Sequence, residues 1–318
     1  MTVSYTEPLA RAWARTRALL FAPFQVRTWL VAGFGAFLAH LAGTPLAGGS
    51  SRWSTRARHL DRDAAHAVAE RVADWFTHPL VLAGIAFALV LFAVAYAVVV
   101  WVSARGQFVW FAQVASGRAT FVDPWRRSAR PGRSLFLCWA ALSFAWLAPL
   151  AFTVAGVLPV ARAWYEGRTE AFAALVPALL GLLAAGLAVS LVILFANLVL
   201  GDFLVPLMAR HGEGVGAAWE RFRPLLAARF GDFAAYAVFV CVLWLLACVA
   251  IVVLGFATLC VGFFLMAIPY VGTVVLLPVL TLFRALGPEF LAQFGPEWDT
   301  LAASAEAGPT RTTESTDA

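Results

Sequence analysis

The clearest structural signal in this sequence is the stretch PLVLAGIAFALVLFAVAYAVVVWV, residues 79–102. It runs for 24 residues without a charged side chain, which at about 1.5 Å per residue makes about 36 Å of α-helix. The hydrocarbon core of a bilayer is about 30 Å thick, and about 20 apolar residues cross it as a helix. Residues 79–102 therefore predict a transmembrane helix.

Similar apolar blocks fill most of the chain. The sequence is 62% hydrophobic and 13% charged, whereas soluble domains are about 45–50% apolar and about 25% charged. We expect an all-α integral membrane fold with about six transmembrane helices within residues 28–300, followed by a polar, disordered tail over 301–318. The predicted spans are 28–46, 79–102, 134–160, 171–200, 233–256 and 270–283. Between the last two, the broken apolar stretch 257–273 predicts a tight turn or a re-entrant segment.

The arginines indicate an orientation. All 23 basic residues are arginine, and with the abundant Ala, Gly and Val this is typical of a GC-rich bacterium. Arginines concentrate in residues 1–27, 103–133 and 201–232, and basic segments beside spans stay in the cytoplasm. We therefore expect a multipass protein of the bacterial cytoplasmic (inner) membrane with both termini cytoplasmic. Residues 43–78, where acidic residues offset the arginines, become an extracytoplasmic loop, and 103–133 and 201–232 become cytoplasmic helical loops.

A basic, Trp-bearing segment is written twice. AWARTRALLFAPF (12–24) and AWERFRPLLAARF (218–230) agree at eight of thirteen positions, and a weaker third copy contains Trp125 and Arg127. Each copy precedes an odd-numbered span, and each even-numbered span ends in a polar–Phe pair. The repeat predicts three hairpin units, each preceded by a cytoplasmic interfacial amphipathic helix, of which residues 1–27 hold the first. The polar–Phe pairs are Gln107-Phe108, Asp202-Phe203 and Glu289-Phe290.

The repeated helix has the pattern of a headgroup-region helix. With Trp as position zero, positions +3, +7 and +11 share its face: Thr16, Leu20 and Phe24, and in the second copy Phe222, Leu226 and Phe230. Position +2 points away, and the arginine at +4 can lie along the Trp ring while it reaches for a phosphate. The candidate headgroup residues are Trp13, Arg15, Arg17, Arg127, Trp219, Arg221 and Arg223. A topology signal and membrane anchor is the simpler interpretation of the same residues.

A second constellation lies in the predicted loop 43–78. His59, Asp63, His66 and Glu70 follow one face of a helix, and such residues are zinc ligands in other proteins. One helix seldom supplies a complete four-ligand site, and a solvated face with His–acid pairs explains the same spacing. No metal site is therefore favoured, and no cofactor is expected.

The predicted spans contain no Asp, Glu, Lys or Arg, and the sequence has none of the common hydrolase, metalloprotease or nucleotide-binding motifs. We therefore expect a non-enzymatic membrane protein that scaffolds or modulates a membrane partner or binds anionic lipid headgroups. The expected partners are the bilayer, an anionic phospholipid, and another membrane protein or a second copy, with no nucleic acid. The alternative is a transporter or exporter of a hydrophobic or lipid-like solute. Asp202 and Glu289 are expected to form ion pairs with Arg105, Arg210 or Arg284.

Three stretches carry a family resemblance. ARAWARTRALLFAPFQVRTWLVAGF (10–34), GDFLVP (201–206) and IPYVGTVVLLPVLTLFRALGPEFLAQFGPEW (268–298) resemble a group of uncharacterised bacterial multipass proteins. That group is distantly similar to the membrane domain of some glycerophosphoryl diester phosphodiesterases. The resemblance implies a helical membrane domain with cytoplasmic amphipathic helices. It implies no catalytic residue, because the soluble phosphodiesterase barrel has no counterpart in this sequence.

Overall fold

The computed structural model describes residues 3–42, 79–167, 169–259 and 261–302. Every regular element in these ranges is helical, which confirms the predicted all-α class. The first half holds α1 (Thr6–Leu20), α2 (Val26–His40), α3 (Pro79–Ser116), α4 (Val122–Arg127), α5 (Ala129–Ala145) and α6 (Leu147–Tyr165). The second half holds α7 (Thr169–Val199), a π-helical turn (Leu200–Leu204), α8 (Val205–His211), α9 (Val215–Ala228), α10 (Phe230–Ala257), α11 (Val261–Ala267), α12 (Pro269–Val275) and α13 (Leu277–Leu291). Two single 3₁₀ turns, Ala292–Phe294 and Pro296–Trp298, follow.

Four helical stretches within the described residues are long and apolar enough to cross a bilayer, and a fifth counts if a bent pair is one span. The four are α3, α5 with α6, α7 through α8, and α10; the bent pair is α12 and α13, which meet at 67°. The predicted span 28–46 is not confirmed, because α2 has 15 residues, about 22 Å of helix, and residues 43–46 lie outside the described ranges. Six spans and the three-hairpin arrangement therefore stay predictions.

The helices continue beyond the predicted spans. α3 runs on from Val102 to Ser116, and α7 continues through the π-turn into α8 as far as His211. Most of 103–133 and 201–232 is consequently helical. The stretch 257–273 is more complex than a tight turn, because α11 and the start of α12 lie within it.

Packing is concentrated at one end of the helices, which we call the packed end. It comprises α1, α2, the C-terminal part of α3, the N-terminal part of α5, the π-turn with α8, α9, the N-terminal part of α10, and α13. Large side chains that are fully buried there include Leu135, Phe203, Met208, Phe222, Phe233, Tyr236, Leu277 and Phe290. The C-terminal end of one long helix and the N-terminal end of the next lie in this core in turn, as expected for successive helices that run antiparallel to each other.

The opposite end, which we call the apolar end, is built from residues 79–98 of α3, the α6–α7 hairpin and residues 242–256 of α10. In the four long stretches only 6–11% of the most apolar window is buried inside the protein. Exposed Leu, Val and Phe side chains cover these helices. Because lipid tails are as apolar as these side chains, such a surface suits a bilayer.

Candidate functional site

The first copy of the repeat forms α1, which lies against α13 at the packed end. Ala12, Thr16, Leu19 and Leu20 are buried, whereas Trp13 is 51% exposed. The buried Thr16 hydroxyl donates a hydrogen bond to the Ala12 carbonyl oxygen of the same helix at 2.9 Å. The buried stripe therefore starts one residue before the Trp rather than at the Trp.

The second copy forms α9 and repeats this burial pattern. Ala218 and Phe222, at positions −1 and +3, are buried, and Trp219 is 39% exposed. Phe222 packs on the ring of Phe203 with centroids 5.5 Å apart. Two helices that are more than 200 residues apart thus bury the same two positions and expose the same Trp.

The predicted Trp face is corrected at its far end. Phe24 and Phe230, at position +11, are exposed. The reason is that α1 ends at Leu20 and α9 at Ala228, so position +11 lies beyond each helix and no longer follows helical spacing. Position +7 is buried as Leu20 in the first copy and half-buried as Leu226 in the second.

Position +2 is occupied in both copies by an arginine that is held in an ion pair. Arg15 pairs through Nε with the carboxylate of Glu289, and Arg11 reaches the same carboxylate at 2.9 Å. Arg221 pairs with Glu213 at 2.9 Å and lies 3.0 Å from His211 Nε2. Glu289 therefore has Arg11 and Arg15 as its partners, and not the predicted Arg105, Arg210 or Arg284.

Position +4 is different. Arg17 and Arg223 are exposed in both copies, one helical turn after an exposed Trp. We call Trp13 with Arg17, and Trp219 with Arg223, the two Trp–Arg pairs. Of the seven candidate headgroup residues these four keep both the exposure and the spacing that contact with a headgroup requires.

The third, weaker copy is built differently. Its helix, α4, has only six residues and none of them is buried. Trp125 turns toward the protein, where the Arg105 guanidinium lies 5.3 Å from its ring centroid and 4.7 Å from that of Trp101. Arg127 is exposed and lines a cleft between α3, α4 and α8.

The three polar–Phe pairs meet at the packed end. Phe108, Phe203 and Phe290 are all buried, and the rings of Phe203 and Phe290 are 6.2 Å apart. Arg284 joins the units, because it donates to the carbonyl oxygens of Gly201 and Gln107 at 3.1 Å each. The pairs found in the sequence thus mark the centre of the core.

A charged pair of residues accompanies this junction, the half-buried Asp202 and the buried Arg284. Asp202 lies in the π-turn and accepts a hydrogen bond of 2.8 Å from the Tyr236 hydroxyl. Arg284, 5% exposed, interacts electrostatically with Asp202. The two residues come near each other because α13 lies close to the π-turn. This close approach requires a glycine at position 287, since a Cβ atom there would lie only 2.6 Å from the Cβ of Asp202. Both charges lie in helices that extend beyond the predicted, charge-free spans.

A second cleft, of about 660 Å³, opens between α1 and the C-terminal segment. Its lining carries three arginines and three acidic residues, so that its charges balance. They are Arg11, Arg15, Arg229, Glu7, Glu289 and Asp299. The N-terminal segment closes one side of the cleft. The Ser4 backbone N–H donates to Gln293 Oε1 at 3.0 Å, and Gln293 Nε2 donates to the Ser4 carbonyl oxygen at 2.9 Å. The Arg15 of the predicted headgroup set thus belongs to a structural junction between the two ends of the chain.

The weak metal candidates His59, Asp63, His66 and Glu70 lie outside the described residues. Within the described ranges no three His, Cys, Asp or Glu side chains are grouped so that they could hold a metal ion. The described cysteines, Cys138, Cys241 and Cys248, carry free thiols.

The chain was compared with family models, curated proteins and solved structures. No curated protein and no solved structure matches it. The model of a family of unknown function, DUF7544, matches residues 4–295. That match takes in α1 and α9, the π-turn and all of α13. The chain therefore belongs to the DUF7544 family.

Proposed function

We propose that this protein is a non-enzymatic multipass membrane protein that binds anionic lipid headgroups through α1 and α9, and that it scaffolds or modulates a membrane partner from there. The observation that supports the proposal is the exposure of both Trp–Arg pairs. Two helices far apart in the chain bury positions −1 and +3 and expose positions 0 and +4. Neither exposed position is needed for the core, so a role outside the core explains why both copies have Trp and Arg there.

The chemistry of these residues suits the headgroup region. A Trp side chain has an apolar body and one polar N–H, and it concentrates at membrane–water interfaces. A guanidinium can bind a phosphate through two parallel hydrogen bonds, and each arginine near an anionic surface contributes about 1 kcal/mol to binding. Arg17 and Arg223 have no acidic partner among the described ion pairs, whereas Arg15 and Arg221 do.

We place the packed end at the cytoplasmic face of a bacterial inner membrane, with both termini on that side. The support is the distribution of arginines, which cluster in the segments that form this end. On this proposal α2 enters the bilayer as part of a sixth span, and the chain forms three hairpin units. A distant relation to the membrane domain of glycerophosphoryl diester phosphodiesterases is part of the same proposal.

Native mass spectrometry in a neutral detergent with added phosphatidylglycerol tests the lipid proposal. The Arg17→Gln/Arg223→Gln double variant is expected to bind the lipid about 30-fold more weakly, as two lost contacts of about 1 kcal/mol each predict. The control is Arg162→Gln, which removes an exposed arginine, paired with Glu166, from α6 near the apolar end. Equal lipid binding by the double variant and the wild-type protein, with the fold intact, would contradict the proposal.

The second candidate function is transport of a hydrophobic or lipid-like solute. It is favoured by Asp202, an ionisable group in a helical stretch that is long and apolar enough to cross a bilayer. Asp202 also lies in a π-turn, and such turns are frequent at functional sites. Ionisable groups in spans often belong to substrate pathways. Movement of a fluorescent lipid across proteoliposomes, abolished by Asp202→Asn, would support transport; movement unchanged by that substitution would oppose it.

A further inference from the structure

A cleft of about 430 Å³ opens at the packed end between the end of α3, the helix α4 and α8. This is the size of small-molecule sites in proteins, which are mostly apolar with a few polar groups that fix orientation. Its floor is apolar and includes Phe108, Phe111 and Met208. Its rim carries the exposed side chains of Arg118, Arg127 and Asp123.

The short helix of the weak repeat copy forms one wall of this cleft. In α1 and α9, positions −1 and +3 pack into the core, as Ala12 with Thr16 and Ala218 with Phe222. In the weak copy, α4 has only six residues and none of them is buried, so that its first buried residue is Ser128, which follows the helix. The exposed side of α4 therefore borders the cleft.

The shape of the cleft is held by its surroundings. The Gln113 amide donates to the Thr120 carbonyl oxygen at 3.0 Å and ties the loop after α3 to the body of α3. On the other side Phe121 stacks on Trp125 with centroids 5.6 Å apart. The loop and α4 are thus anchored by Gln113, Phe121, Trp125 and the backbone of Thr120, whereas the side chains of Arg118 and Arg127 form no hydrogen bond or ion pair within the described residues.

The lining sorts into two parts with different chemistry. Two arginines against one aspartate leave a net positive charge at the rim, and Ser116, Thr120 and Ser128 also line the cleft. Guanidinium groups bind carboxylates and phosphates through paired hydrogen bonds. Aromatic and Met side chains on the floor suit an alkyl or isoprenyl chain, because Met adapts to irregular apolar shapes.

We infer that this cleft binds a single-chain amphiphilic anion, with its phosphate or carboxylate head at Arg118 and Arg127 and its chain over Phe108, Phe111 and Met208. This site is separate from the two Trp–Arg pairs and does not depend on them. A membrane lipid headgroup alone would use only the rim, whereas a single-chain amphiphile uses the rim and the floor together. The inference therefore predicts that head and chain contribute jointly.

The test is native mass spectrometry in a neutral detergent with dodecyl phosphate as the probe, and with dodecanoate, dodecanol and inorganic phosphate as comparisons. One equivalent of dodecyl phosphate should bind, at least tenfold more tightly than dodecanol or inorganic phosphate. The Arg118→Gln/Arg127→Gln variant should weaken it at least tenfold. Ala209→Trp, which places an indole in the cleft from an exposed position, should abolish it.

The matched control is Arg126→Gln/Arg130→Gln, which changes two exposed arginines of the same region that do not line the cleft. It should leave binding unchanged, and so should Arg17→Gln/Arg223→Gln, which separates this inference from the proposed function. Equal weakening by the control pair, equal binding of inorganic phosphate, or undiminished binding by Ala209→Trp would each overturn the inference. The melting temperature of every variant establishes that it is folded.

Discussion

The packed end and the apolar end of this protein both contain many Leu, Val, Ala and Phe residues, yet only the packed end buries most of these side chains. At the packed end, Phe203 touches the rings of Phe222, Phe233, Tyr236 and Phe290 and is fully buried. At the apolar end, Phe87 is 71% exposed and Leu80 is 78% exposed. Composition alone therefore does not determine where a membrane protein packs.

The proposed membrane placement, with water around the packed end and lipid around the apolar end, accounts for this difference. Water drives apolar side chains together, whereas in lipid this drive between helices is lost, and packing depends on shape and on hydrogen bonds. The packed end supplies both, since Gly287 lets α13 approach Asp202 and Arg284 bonds two neighbouring backbones. The apolar end has few such groups among its described residues, and most of its apolar side chains therefore point away from the protein.

The largest effect is expected from Arg284→Met, which removes the cation that joins α3, the π-turn and α13. The carbonyl oxygens of Gly201 and Gln107 would lose their charged donor, and the half-buried Asp202 would lose a nearby positive charge. Hydrogen bonds to a charged group contribute about 1.5–3 kcal/mol each, so that we expect a loss of about 3–5 kcal/mol. Chemical unfolding in mixed micelles measures the loss. The control is Arg162→Met near the apolar end, where the side chain is 76% exposed and the expected loss is below about 0.5 kcal/mol. Equal losses in the two variants would remove the distinction between the ends.

A somewhat smaller effect is expected from Phe203→Ala. The substitution leaves a cavity among four aromatic rings and should lower the free energy of unfolding by about 3 kcal/mol, at the lower end for such changes because the rings can relax. The matched variant Phe87→Ala removes the same atoms from a lipid-facing position and should change stability by no more than about 0.5 kcal/mol. A large loss from Phe87→Ala would show that a partner covers the apolar end.

The smallest effect is expected from Glu289→Gln, which breaks the pairs that hold α1 on α13. Arg11 and Arg15 are partly exposed, so solvent screens these pairs, and we expect a loss of about 1–2 kcal/mol. Hydrogen–deuterium exchange should rise in residues 6–20 while α10 is unchanged. Glu7→Gln, which removes only an exposed pair within α1, is the control and should leave exchange in 6–20 as it is. Unchanged exchange in Glu289→Gln would mean that apolar contacts alone hold α1.

The long helices could be predicted from the sequence because charge-free blocks of about 20 residues or more are a strong signal. Their ends were harder to predict, and α3 shows why. Gln107 and Gln113 indicate a departure from lipid, yet α3 continues past both because their side chains are buried against other helices. Hydropathy indicates whether a residue avoids water, but it does not distinguish contact with lipid from burial against other helices.

The candidate residues could be predicted only in part. The repeat identified Trp13, Arg17, Trp219 and Arg223 from local spacing, but the buried stripe begins at Ala12 and Ala218, whose small side chains give a weak hydrophobic signal. The partner of Arg15 is Glu289, 274 residues away, and no local pattern encodes such a pair. Arg284 was expected to pair with Asp202 or Glu289, but its bonds to the carbonyl oxygens of Gly201 and Gln107 have no signal in the sequence, because any residue has such an oxygen.

The most direct test of the central claim measures how deep the two repeated helices lie in the membrane. Spin labels would be placed at positions 13, 219 and 87 of a variant without its four native cysteines, reconstituted in bilayers with phosphatidylglycerol. Their accessibilities to oxygen and to a water-soluble nickel complex report depth. The account predicts headgroup depth, and the same depth, at 13 and 219, with 87 deep in the hydrocarbon. Labels at 13 and 219 that lie in bulk water, or at clearly different depths, would contradict it.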